Sequence, residues 1–266
     1  GMKDRNAVTR QWFSVRMAGK PEPDWNGLAE VGDVSVLQVS RHRRKLKRGV
    51  HRGNRFRLVL RELAGDPAVI EARLQAIKAQ GAPNYFGEQR FGRDGSNLEQ
   101  AMRWIATGGR RIPRNKRSLF LSVLRSQLFN LLLAERVARG DWNRVIAGDT
   151  CVLAGTRSQF LCDQPDEDIT VRCASGDLHP ALPLWGRGVE NLGGDAQARR
   201  QLAVQEFQAA ADFLIAQGLD IDWRPSRLMA DDFCWQFCDD DSLQLEFRLG
   251  AGSFATALLA EFVRYA

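Results

Sequence analysis

Apolar residues recur along this chain with two periods, and the changes between them outline its elements. Strand-like patterning covers Trp12 to Met17, Val34 to Val39 and Asn54 to Leu63; the last alternates, with Asn54, Phe56, Leu58 and Leu60 on one face. Asp66-Pro67 then reads as a cap followed by a first-turn proline. It opens a helix whose apolar stripe is Ile70, Leu74 and Ile77 and whose end is Gly81. Ser96-Asn97-Leu98-Glu99 has the form of a capping box, opening a second helix through Leu98, Met102 and Ile105. Asn115 to Arg139 predicts a longer helix closed by Gly140, and Val145 to about Arg187 reads as short strands and turns. Residues 195–217 are helical in pattern. Cys234 to Cys238 and Leu243 to Leu249 form a hairpin around Asp239-Asp240-Asp241, and Ser253 caps a last helix through Phe254, Leu258 and Phe262. The acidic triplet reads as a solvated hairpin tip rather than a metal site.

With 266 residues, 44% of them hydrophobic and 26% charged, the chain can bury a sizeable core as one large domain or two ordinary ones. No apolar run reaches membrane-span length and no signal peptide is present, so the expected location is the cytoplasm. Five cysteines, an odd number with no CxxC pair, and three scattered histidines argue against a zinc site and a disulfide framework. They predict reduced, mostly buried thiols.

Charge changes the picture. Residues 1–120 carry 25 Lys and Arg against 11 Asp and Glu, whereas residues 121–266 carry the remaining 13 against 21. The basic residues concentrate in Arg41-His42-Arg43-Arg44-Lys45-Leu46-Lys47-Arg48 and in Arg110-Arg111-Ile112-Pro113-Arg114-Asn115-Lys116-Arg117. Two such runs on one half of a chain point to a face that neutralises the phosphates of a nucleic acid. Motifs for nucleotide phosphates, for zinc proteolysis and for serine hydrolysis (GxGxxG, a Walker loop, HExxH, GxSxG) are absent. A lone acid, Asp4, stands between Lys3 and Arg5. Isomerisation at a nucleotide is a chemistry that such a basic chain could perform without metal or cofactor.

Several stretches carry a family resemblance. Gly1 to Gln11, GMKDRNAVTRQ, resembles the GxKDxxAxTxQ motif of the TruD family of tRNA pseudouridine synthases. Gly53-Asn54-Arg55-Phe56 is similar to its GNxF strand, and Pro83 to Gly92 resembles its PNYFGxQRFG signature. Arg125-Ser126, Phe129-Asn130, Leu182-Pro183 with Gly186, and Gly252 to Thr256 follow in family order. The resemblance implies isomerisation of uridine to pseudouridine at position 13 of tRNA, with Asp4 as the single catalytic carboxylate and no cofactor. The carboxylate would act as nucleophile at C1′ or as base at C2′. Lys3 would help to keep it ionised. Phe56 and Asn54 would give the flipped base an aromatic floor and an amide to read its edge.

Arg90 is the implied RNA contact of the PNYFGxQRFG stretch. Arg41, Arg43, Arg44, Lys45, Arg114, Lys116 and Arg117 are the expected phosphate contacts from the basic runs. The expected fold is α/β (α+β): a pseudouridine-synthase-like domain with a mixed or antiparallel sheet over residues 1–81 plus 230–266, and an inserted TRUD domain over 82–229, with RNA in the cleft between them. The expected partner is tRNA, with no metal and no membrane, and the expected state is a monomer. Family members carry an N-terminal segment ahead of the GxKD motif, with a strand and a functional glutamate. The expectation is therefore that residues 1–266 alone are weak catalysts and are rescued by such a segment. The alternative is a non-catalytic RNA-binding protein of the same fold.

Overall fold

The structure is a computed structural model that describes residues 7–25, 27, 33–47, 50–188, 194–239 and 241–264. It divides into two units, Gly1–Arg52 and Gly53–Ala266. In the first, Trp12–Met17 and Val34–Val39 form no ladder, which corrects the strand prediction for both segments. A strand is defined by its partner, and apolar content alone supplies none. Trp12, Phe13, Val15, Val34, Leu37 and Val39 are exposed. Local contacts remain: Leu46 N–H donates to Ser14 Oγ at 3.2 Å, and Arg41 ion-pairs with Glu22.

The second unit is α+β with antiparallel ladders. Strand β1 (Gly53–Leu60) pairs with β9 (Ser242–Gly250), which pairs with β8 (Asp231–Cys238), in the order β1-β9-β8. Register sets Phe56 opposite Phe247 and Leu58 opposite Leu245 on the inward face. Helix α1 (Pro67–Gln80) covers that face with Ile70, Leu74 and Ile77 buried, joined by Leu258 of α7 (Ala255–Leu259). Asp66 accepts from Ala68 N–H at 2.8 Å and caps α1 as its sequence predicts. Gly81 ends the helix at φ 77°, where a Cβ would lie 2.5 Å from the Leu228 carbonyl oxygen, so a side chain is excluded twice over.

A second apolar core surrounds α3 (Arg114–Ala138), whose buried face includes Phe120, Leu124, Leu128 and Leu132. Helices α2 (Ser96–Ala106), α5 (Gly194–Val204) and α6 (Gln208–Ala216) pack there. They adjoin the sheet β4-β3-β5-β6, formed by Gln159–Cys162, Asp149–Leu153, Leu178–Leu184 and Asp222–Pro225. Each fully buried Leu contributes on the order of 1.5–3 kcal/mol. The two-residue strands β2 (Ala82–Pro83) and β7 (Arg227–Leu228) pair at the junction between the cores.

Two predicted caps are corrected. Ser96 is already helical in α2: Gly95, in a left-handed conformation, precedes it, and no side chain caps the turn. Phe254 rather than Ser253 flanks α7, and the helix stops at Leu259, short of Phe262. Helix α4 (Glu167–Ser175) interrupts the region read as strands and turns. Its Ile169-Thr170-Val171 run favours strands by composition. The Asp166 cap, accepting from Ile169 N–H at 2.8 Å, and the Gly176 end at φ 85° select the helix instead. Cys151, Cys162 and Cys173 are buried free thiols, whereas Cys234 and Cys238 are exposed. Among the described residues no helix is long and apolar enough to cross a membrane.

His179 on β5 is buried, and its Nδ1 accepts from Arg227 Nε at 3.0 Å, which fixes the neutral tautomer. Burial, then the Arg227 charge, pushes its pKa down to about 4 from 6.5. Between those values the unfolded chain takes a proton that the folded chain refuses, so stability falls as pH drops from 6.5 to 4. The loss is roughly 3 kcal/mol over that window. Urea unfolding of His179→Gln across pH 4–7 is expected to show an acid limb flattened by about that amount. An unchanged limb would mean that other groups carry it.

Candidate RNA-binding and active site

Asp4 and Lys3 lie outside the described residues. Strand β1 opens at Gly53, opposite Gly250, where a Cβ would overlap the Leu249 carbonyl oxygen. That close approach seats Asn54 and Phe56 on the inward face, both half-buried. Phe56 stacks on Phe247 with ring centroids 5.3 Å apart. Strand β9, the partner of β1, runs into Gly252, Ser253 and Phe254 at this end of the sheet.

The Pro83–Gly92 stretch is held against that end by a dense polar clip. Asn84 is buried; its N–H donates to Ser226 O at 2.8 Å and its Nδ2 to Pro225 O at 2.8 Å. Arg224, on β6, donates to Asn84 Oδ1 at 2.7 Å, to Asn84 O at 3.1 and 3.2 Å, and to Gly252 O at 2.8 Å. Its guanidinium lies 4.1 Å from the Phe86 ring centroid, a cation–π contact at short range. Phe86 in turn is bracketed by Asn130 of α3: its N–H donates to Asn130 Oδ1 at 2.9 Å and its carbonyl accepts from Asn130 Nδ2 at 3.0 Å. Phe129 and Phe254 meet the same ring edge-on.

Gly87 follows because a Cβ there would lie 2.5 Å from Thr256 Oγ1. Arg90 closes a 3-10 turn, donates to Ser122 Oγ at 3.1 Å, and lies 5.4 Å and 5.8 Å from the Phe86 and Phe254 ring centroids. Burial pushes the pKa of Arg224 down to about 9, with the Arg90 charge adding to the shift, so it remains a cation at neutral pH. Burial lowers Arg90 as well. Arg125 of α3 ties Leu184 O and Asp220 O together at 2.5 and 2.9 Å.

The basic runs differ in their surroundings. In the first unit Arg41 is engaged by Glu22, and that contact holds the Glu22 carboxyl below its ordinary range. Arg43, Arg44 and Lys45 are exposed, with no ion pair among the described residues. In the second unit Arg114, Lys116 and Arg117 are exposed along the first turn of α3, a turn that contains no acid. Lys116 lies 5.3 Å from the Phe120 ring centroid, and Arg117 donates to Gln217 at 2.8 Å.

A family model described as tRNA pseudouridine synthase D (TruD) matches residues 1–109 and 96–262. The chain belongs to the TruD family. It is 47% identical over 265 residues to the tRNA pseudouridine synthase D of Methylococcus capsulatus, an alignment covering all of this chain and 75% of that protein. The corresponding protein of Nitrosococcus oceani is 44% identical over 271 residues, covering 99% of this chain and 74% of its own length. The crystal structure of a TruD protein from Methanosarcina mazei superposes with a TM-score of 0.62 at 18% identity, over 88% of this chain and 75% of that one, and shares its fold.

Within this TruD chain, sequence reasoning missed Arg224 altogether and gave Asn130 no task. Arg224 sits in a short stretch, Asp222-Trp223-Arg224-Pro225, without a motif. The signal available was a cation between an aromatic residue and a proline in a short strand. Asn130→Ala would strip the Phe86 N–H and carbonyl of their partners and is expected to lower stability by about 2–3 kcal/mol. Equilibrium urea unfolding measures it; a loss under about 0.5 kcal/mol would show that the bracket is dispensable.

Proposed function

We propose that this chain isomerises uridine to pseudouridine in tRNA, at position 13, with Asp4 as the catalytic carboxylate. The observation that carries the reading is 47% identity across the whole chain to a protein named tRNA pseudouridine synthase D, with Asp4 inside an intact GxKDxxAxTxQ pattern. The N1–C1′ bond of the target uridine breaks, the uracil turns, and a C5–C1′ bond forms. Asp4 acts at C1′ as nucleophile or at C2′ as base, and Lys3 favours its ionised form. Asn54 and Phe56 receive the flipped uracil, Phe56 through its ring and Asn54 through its amide. Arg90 contacts RNA near this end of the sheet. Arg41, Arg43, Arg44, Lys45, Arg114, Lys116 and Arg117 contribute phosphate contacts.

In this reading the catalytic part is 1–81 with 230–266, and the inserted part is 82–229. This division is supported by separate apolar cores, one with Leu74, Phe247 and Leu258 and one with Phe120, Leu128 and Leu214. A cytoplasmic monomer needing neither metal nor cofactor completes the reading.

Asp4→Asn keeps the size of the side chain and removes its anion. It is expected to abolish pseudouridine formation while leaving tRNA affinity within a few fold, because affinity arises mainly from phosphate contacts elsewhere. The check is product analysis under single-turnover conditions. Turnover comparable to wild type would remove Asp4 from the mechanism, and no product from wild type would favour the non-catalytic RNA-binding alternative.

Neutralising Arg43, Arg44 and Lys45 together is expected to weaken tRNA binding and to reduce the slope of log K against log salt by roughly two to three units. A slope equal to wild type would leave that run as a solvated surface.

A further inference from the structure

Around Phe86, two guanidinium groups share one aromatic ring without a carboxylate. Arg224 lies 4.1 Å and Arg90 5.4 Å from its centroid, and among the described residues neither has an ion-pair partner. Like charges held this close raise each other's energy, and the lowered pKa of Arg224 reflects Arg90 as well as burial. The two cations differ in their remaining capacity. Arg224 directs four contacts at the carbonyl groups of Asn84 and Gly252. Arg90 makes one, to Ser122 Oγ, and its buried Nε has no acceptor. The buried Thr256 hydroxyl, which faces Gly87, also has no hydrogen-bond partner among the described residues.

A neutral base would leave both charges uncompensated. An anion with several acceptor oxygens would answer the charge, met by the half-buried Arg90 guanidinium. We propose that Arg90, with Ser122 beside it and Arg224 as a second positive charge at the same Phe86 ring, binds one backbone phosphate of the RNA substrate. The inference rests on the tRNA reading above and deepens it. Arg90 supplies the N–H contacts. Arg224 is a positioning residue that also raises the local potential. Because Arg224 also grips Gly252, phosphate binding and the setting of Phe254 are joined through one side chain.

The test is a cycle between Arg90→Gln and a set of tRNAs, each with one phosphate replaced by a neutral methylphosphonate. Arg90→Gln is expected to weaken tRNA binding about tenfold, the scale of one charge-assisted contact, and to lower the salt slope by roughly 0.7–0.9. One methylphosphonate position should cost wild type about tenfold and cost Arg90→Gln nothing further. Arg90→Lys should recover the slope without the full affinity, since an ammonium keeps the charge but loses the fork. Losses that add at every position, or a slope unmoved in both variants, would overturn the proposal and leave Arg90 as packing. Turnover of the same tRNA by wild type is scored separately, so failure of the isomerisation reading and failure of the phosphate subsite give different results.

Discussion

The junction of the second unit depends on one guanidinium. Arg224 replaces what would ordinarily be several loop hydrogen bonds: it reads both the carbonyl and the side-chain oxygen of Asn84 and reaches across to Gly252. Its alternative to a carboxylate partner is the face of Phe86. Such a cation is held by dipoles and a ring, so its charge remains available to whatever approaches. A carboxylate in the same place would stabilise the loop as well and would cancel that field.

A different solution appears deeper in the α3 core. Arg136 and Arg200 there meet Asp149, which is fully buried and accepts from Arg136 Nη1 at 2.8 and 3.0 Å and from Arg200 Nη2 at 3.2 Å. Those charges are compensated, enclosed and structural. The contrast separates the two sets of buried arginines by their partners: one set meets a buried carboxylate, the other carbonyl groups and an aromatic ring.

Several local signals were readable where structure is decided within a few residues, although the Ser96 and Ser253 caps were not among them. The Asp66 cap, the Gly81 stop, the alternation from Asn54 to Leu60 and the hairpin of Cys234 to Leu249 needed no distant information. Helix α4 was hidden because Ile169, Thr170 and Val171 favour strands while its cap and its glycine favour a helix. Trp12–Met17 and Val34–Val39 show the converse, apolar runs without a ladder. The clip at Phe86 was illegible for another reason: Asn84 and Arg224 lie 140 residues apart, and Phe86 and Asn130 lie 44 apart. A motif can nominate Pro83 to Gly92, but only the folded chain reveals which partners hold it and that Arg90 has donors left over.

Gly53 carries a consequence for how such a chain can change. Its Cα faces the Leu249 carbonyl so closely that any side chain would have to push two paired strands apart. Replacement there is rejected by the ladder before a substrate is ever met. A mutational survey scored by product would therefore rank position 53 beside the chemical groups, although it has no functional group to contribute. Measuring abundance alongside activity separates the two: an intolerant glycine of this kind lowers both together, and a true reactive group lowers only one.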